Sequence, residues 1–337
     1  MKALAHRLFD PSIATAIATS RLAEYPLSKW HKLLPPRPWS PTVSPTEPIR
    51  SCFHWLYHPE CDTFNFPPSA SNIPTGKDGN PEIIPGVRRM WIGGTIQFNQ
   101  PFYLNDTVHK TTNITSVKEK TTRSQGSVLF VERESELLVS CGTVGRDKGG
   151  GGNIVETTTH AFLHNPRYIA PPPTTNETTQ TSPARLTLLS KETITGLDTS
   201  LLFQYSALTH NAHKIHYDMA YATSTEGYPN VVVHGPLVAS FLLDFYQHLC
   251  WTLNKNDDPY FGYEFSYRGK APLFLGSDLH LSAWRKEEPS GGQDFPKSGS
   301  GSNTVVTLLA KNDEGSTVME AKATRHCGGT AVAHTHR

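Results

Sequence analysis

Cysteine is scarce in this chain and widely scattered. The five residues, Cys52, Cys61, Cys141, Cys250 and Cys327, are odd in number and include no C-x-x-C pair. That pattern does not suit a disulfide framework and points to reduced thiols in an intracellular protein. Charge of one sign is also lacking. Lys and Arg number 31 against 30 Asp and Glu, a formal charge of +1, so no nucleic-acid surface is expected. Short basic stretches such as Lys118–Lys120 alternate with acid and read as a solvated strand face. No apolar run reaches the length of a membrane span, and even the run from Leu237 is interrupted by Asp244. There is no G-x-S-x-G elbow for a serine hydrolase. The glycines of 149–152 are not followed by Lys-Ser/Thr, which excludes a phosphate loop. Asn105, Asn113 and Asn176 fit the glycosylation sequon, but without a secretory signal they are chance matches.

What is present is punctuated by proline and glycine. At 337 residues the chain is long enough for about two domains. Residues 1–48 are rich in Ala, Ser, Thr and Arg but include Asp10 and Glu24. They read either as a mitochondrial transit peptide or as a short helix followed by a proline-rich lead-in. A threonine-rich linker after Pro171-Pro-Pro, over 169–186, separates a half at 49–168 from a half at 187–330. Lys148–Asn153 and Glu287–Asn303 read as surface loops. The halves echo each other: Pro101-Phe-Tyr-Leu precedes His109 by eight positions, and Pro272-Leu-Phe-Leu precedes His280 by eight. The echo, one on each side of the linker, points to an internal duplication.

Alternating apolar and polar residues predict antiparallel strands over Val108–Val117, Gly126–Val139 and Asn153–Phe162. In the second half they predict strands over Asp278–Trp284, Asn303–Ala310 and Ser316–Ala323. Leu237, Phe241, Phe245 and Leu249 recur every four residues and predict a long helix over Pro236–Leu253. No comparable helix is expected in the first half, where Asn65–Arg88 is full of proline and glycine and reads as loop. The fold class is therefore α+β: two curved antiparallel sheets, the second wrapping a central helix.

Chemistry concentrates in Tyr205–Leu243. Asn211 and His216 stand five residues apart, and His234-Gly235-Pro236 opens the long helix. An imidazole with an ordinary pKa near 6.5 can move protons at neutral pH, which makes His216 the candidate general acid/base. The backbone N–H of Gly235, at a helix N-terminus, is a candidate donor to a developing oxyanion. Asp218 is read either as a carboxylate for the site or as a cap on the turn after it; His213 and Tyr217 read as local packing, and His234 as a residue lining the site. His210, His213 and His216 at spacing three and three drift around a helix with no Cys or carboxylate at ligand spacing, so no metal is expected.

These motifs resemble the MaoC-like hydratase and dehydratase family in its double-hot-dog form, over about Phe53 to Arg325. In that family an Asp and a His lie on a loop written D-x-N-P-x-H; the same register here is Asn211-Ala-His-Lys-Ile-His216. Asn211–Ala222, Gly227–Leu237 and Arg89-Met-Trp-Ile-Gly-Gly resemble more narrowly the fungal mitochondrial 3-hydroxyacyl-thioester dehydratases of type 2 and the related mesaconyl-CoA hydratases. The resemblance implies a double hot dog with a degenerate, catalytically silent first half. It implies reversible dehydration of a (3R)-hydroxyacyl thioester of coenzyme A or acyl carrier protein, without a cofactor. Mitochondrial fatty-acid synthesis is the implied setting, with a cytoplasmic location as alternative. Monomer and homodimer both suit the fold. An amide cannot take a proton, so Asn211 in place of the family's Asp leaves His216 alone to handle it. Three other readings stay open: hydration of a short mesaconyl-type enoyl-CoA, non-catalytic binding of an acyl thioester, and a hot-dog thioesterase, for which Asp244, mid-helix, lies too far from Gly235.

Overall fold

The computed structural model describes residues 15–36, 48–50, 52–57, 88–122, 126–141, 153–163, 168, 186–211, 213–253, 261–286 and 304–325. Two runs of elements follow one plan. The first contains strand β1 (Thr15–Arg21), helix α1 (Glu24–Leu33) and strands β2 (Arg88–Gln100), β3 (Thr107–Thr122), β4 (Gly126–Cys141) and β5 (Asn153–Leu163). The second contains β6 (Leu186–Ile194), helices α2 (Thr199–Leu208) and α3 (Gly235–Leu253), and strands β7 (Tyr263–Gly269), β8 (Leu279–Lys286), β9 (Thr304–Lys311) and β10 (Thr317–Arg325). Alternation selects the strands: in β9, Thr304, Val306, Leu308 and Ala310 are buried while the residues between them are not.

The strands form one ten-stranded antiparallel sheet in the order β1-β3-β4-β5-β2-β7-β10-β9-β8-β6. Read inward from either edge, the two runs occupy it identically, with β2 and β7 meeting at the centre. The echoed histidines sit at equivalent places. His109 Nδ1 lies 2.6 Å from Thr19 Oγ1, and His280 Nδ1 lies 3.2 Å from Thr193 Oγ1. Each histidine is the cross-strand partner of its threonine on the edge strand. They mark the repeat.

Two expectations need correction. The sheets are not separate, because β2 pairs with β7 from Gly93↔Arg268 to Phe98↔Tyr263. Gly93 makes this seam possible: a Cβ there would lie 2.3 Å from the Tyr267 carbonyl oxygen, while one on Gly94 would lie 2.1 Å from that of Thr157 on the β5 side. Nor does the fold begin after residue 48. β1 pairs with β3 over seven positions, and Leu22, Leu27 and Trp30 are at most 1% exposed. The helix of the lead-in alternative exists as α1, but it is a core element.

Helix α3 lies against β7 to β10 with Leu237, Phe241, Phe245 and Leu249 buried. Asp244, mid-helix and buried, is ion-paired with buried Arg50 from the first half. A carboxylate held this way is neither free nor near the helix start, which removes the basis for a thioesterase nucleophile. The expected loops and linker at 65–88, 148–153, 169–186 and 287–303 lie outside the described residues, except for 88, 153 and 186, where the following strands begin.

Candidate active site

Asp198 caps α2, its Oδ1 accepting from the Leu201 N–H at 2.7 Å. The helix ends in a left-handed residue, His210 (φ 53°), which turns the chain back. The Asn211 N–H then donates to the Ser206 carbonyl at 2.8 Å, and Asn211 Oδ1 accepts from the His213 N–H at 3.1 Å. This side chain-closed turn leads into a 3₁₀ turn at Lys214–His216. Asn211 thus spends one acceptor site on shaping the loop.

His216 is buried, and its Nδ1 lies 2.7 Å from the Val232 carbonyl oxygen. A carbonyl only accepts, so Nδ1 carries the proton and Nε2 holds the basic lone pair. The His234 ring stacks on His216 with centroids 3.7 Å apart and planes 16° from parallel. His234 is itself held by Ser206 Oγ, 2.8 Å from Nε2, and by the edge of Tyr205, 4.8 Å away. Burial holds His216 down to about 3, with His213 and Arg89 acting in the same direction and the Val232 bond opposing them. Burial, then His216 and His213, holds His234 well below the ordinary imidazole value. Both rings are neutral at neutral pH.

Gly235 follows His234 directly and opens α3, where the first amides have no intrahelical acceptor. The Trp91 ring lies over it: a Cβ here would sit 2.8 Å from Trp91 Cε3. Trp91 in turn leans on Tyr267 (4.8 Å) and meets Trp55 edge-on (5.8 Å). Trp91, from the first half, was quoted above only as part of a resemblance. Its contact with Gly235 depends on the β2–β7 seam, which no local pattern predicts.

The other candidates do local work. Asp218 Oδ1 accepts from the Tyr221 N–H at 2.9 Å and caps the π-helical turn Tyr221–Thr225. Tyr217 meets Phe203 of α2 edge-on at 6.2 Å. His213 meets His216 edge-on at 5.9 Å.

The first half contributes buried polar groups on the face that carries Trp91. His160 is the cross-strand partner of Trp91, and Arg133 lies diagonal to His160 on β4; both are buried. Arg89 is on the same face, two residues before Trp91, and is exposed. Burial, then Arg89 and Arg133, keeps His160 well below the ordinary imidazole value. Glu156 accepts from Trp55 Nε1 at 2.9 Å and lies 3.5 Å from His54 Nε2. Burial pushes the Glu156 carboxyl up, but His54, Lys110 and Trp55 outweigh it and hold it below the ordinary value.

Residues 53–275 match the family model for hydroxyacyl-thioester dehydratase type 2. Mesaconyl-C(4)-CoA hydratase of Chloroflexus aurantiacus is 31% identical over 294 residues, covering 83% of this chain and 86% of that protein. The mitochondrial hydroxyacyl-thioester dehydratase type 2 of Schizosaccharomyces pombe is 28% identical over 205 residues, covering 58% and 64%. Among solved structures, a MaoC-like dehydratase aligns with TM-score 0.64 at 13% identity, over 96% of this chain and all of that one. A Mycobacterium tuberculosis protein described as a double hot dog aligns with TM-score 0.51 at 10% identity, over 92% and 95%. The fold is that of the MaoC-like hot-dog proteins.

Proposed function

The chain belongs to the hydroxyacyl-thioester dehydratase type 2 family, a family of hydro-lyases, and from that premise we propose that it interconverts (3R)-hydroxyacyl and trans-2-enoyl thioesters at His216. The observation that carries this reading is the Nδ1–H bond to the Val232 carbonyl, which turns a basic Nε2 away from the backbone.

In hydration, Nε2 takes a proton from a water whose oxygen bonds to C3 of the enoyl thioester. The C2–C3 π electrons move toward the thioester carbonyl, and the resulting enolate oxygen is met by the amide of Gly235 with the dipole of α3 behind it. The imidazolium then returns its proton to C2, and the ring is neutral again. Dehydration is the reverse. A base held at about 3 makes a strongly acidic imidazolium, suited to protonating C2 and, in reverse, a departing hydroxide. Asn211 contributes a donor that orients the water. Carriers are coenzyme A or acyl carrier protein, and the S. pombe relative supports a mitochondrial setting.

The experiment offers crotonyl-CoA to purified protein and follows loss of the enoyl absorbance. His216→Ala is expected to lower hydration by about 10²–10⁴-fold with the fold kept. Full activity in that variant sinks the mechanism, and thioester cleavage without hydration assigns a different reaction.

A second reading concerns the acyl group. Arg133 and His160, with Arg89 toward solvent, offer cationic and hydrogen-bonding groups on the first-half face beside Trp91. This favours a short acyl chain that itself carries a carboxylate, in line with the C. aurantiacus relative. The check compares kcat/KM for mesaconyl-C4-CoA and crotonyl-CoA. Arg133→Met, with Arg89→Gln as the exposed variant, is expected to reduce the first by about tenfold or more and leave the second within about threefold. Equal losses on both substrates refute the assignment.

A further inference from the structure

The stack at His216 continues beyond His234. Trp30 of α1 lies 5.7 Å from Tyr205 of α2, Tyr205 lies 4.8 Å from His234, and His234 lies 3.7 Å from His216. Trp30, Tyr205 and His234 are at most 1% exposed. Four rings in contact therefore run from the first repeat to the base. At its inner end the row is tethered by Ser206 to His234 and by Val232 to His216. At its outer end the Trp30 indole N–H has no hydrogen-bond partner among the described residues, and Trp30 meets Tyr205 by ring contact. Helix α1 is anchored by β1, which pairs with β3, and Tyr57 Oη donates to the Ala23 carbonyl at 2.6 Å just before the helix.

We propose that Trp30, Tyr205 and His234 are positioning residues for His216, so that helix α1 bears on the active centre through Trp30 alone. The proposal rests on His216 being the base. Nε2 must meet a water aligned with C3, and a ring free to tilt loses that alignment; misplacement of about 1 Å is enough to cost up to about 10²-fold in rate. The ladder removes the tilt by filling the space behind the imidazole with rings instead of water. It also bears on processing: a form that began after residue 48 would lack the first rung, Trp30.

Among the described residues, the titratable and charged groups that act on His216 are His234, His213 and Arg89, none of them in α1. A change at Trp30 therefore reaches the pH profile only through the stack. Trp30→Ala is expected to lower kcat about tenfold with KM within twofold, and to move the acid limb of kcat/KM upward as water enters behind the ring. Trp30→Phe is expected to restore most of both. Leu27→Ala, equally buried on the same helix, is the control and should lower Tm without moving kcat or the acid limb. If Trp30→Ala does not fold, His234→Leu reads the same step, with the same fall in kcat and rise of the limb. The ladder is overturned if Trp30→Ala behaves like Leu27→Ala, or if Trp30→Phe or His234→Leu leaves kcat and the limb at wild-type values. Hydration surviving His216→Ala overturns the base assignment and the ladder with it, whereas a dead His216→Ala beside unaltered ladder variants overturns the ladder alone.

Discussion

At position 235 glycine answers to a neighbour as well as to chemistry. Any side chain there meets the Trp91 ring, with the first carbon already at 2.8 Å. Gly235→Ala is expected to destabilise the fold by about 1–3 kcal/mol and to lower kcat by displacing the helix start from the substrate carbonyl. Combining it with Trp91→Leu should recover part of the stability. Urea unfolding of the single and double variants measures this, and additive losses would contradict the contact. Asn211 and Asp218 show how far residue types can be read. The amide at 211 excluded a proton acceptor at once. That its oxygen closes the turn to His213, and that the Asp218 carboxylate caps Tyr221, depended on backbone N–H groups whose direction sequence does not state.

Among the elements, the regular ones were legible. Period-two alternation located β3, β4, β5, β8, β9 and β10, and the four-residue spacing located α3 from Gly235. Both patterns reflect one buried face per element, which a sequence records directly. β6 was missed because an edge strand buries little. In β6 only Ile194 is buried, so no alternation marks it. α1 was legible only as one of two alternatives: it buries chiefly Leu27 and Trp30, too few to decide against a leader-like composition. Asp244 looked like a break in an apolar helix. It is tolerated because Arg50, 194 residues away in sequence, supplies its counter-charge.

For the molecule as a whole, buried histidines set the response to acid. His216, His234 and His160 are lowered by burial first, as is His31, which is held to about 4. The unfolded chain binds protons on these rings below its ordinary pKa of about 6.5, while the folded chain does not. Their contribution to stability is therefore complete above that value and is lost as pH falls toward about 4 for His31 and about 3 for His216. Each such ring lowers stability by up to about 1.4 kcal/mol per pH unit within that window. Urea midpoints measured between about pH 7 and about pH 5 should fall steadily, and His160→Phe should flatten the slope. A midpoint independent of pH would show that these rings are solvated.

The sequence by itself determined the composition of each element, the duplication and the identity of the motif, because these depend on residues near one another along the chain or on a repeated spacing. Tertiary structure alone decided that the two halves share one sheet at Gly93, that Trp91 closes over Gly235, and that a helix before residue 48 brings Trp30 against Tyr205. Those facts are contacts between segments far apart in the chain. Their energy comes from surfaces fitting together in space, and no single segment contains both surfaces.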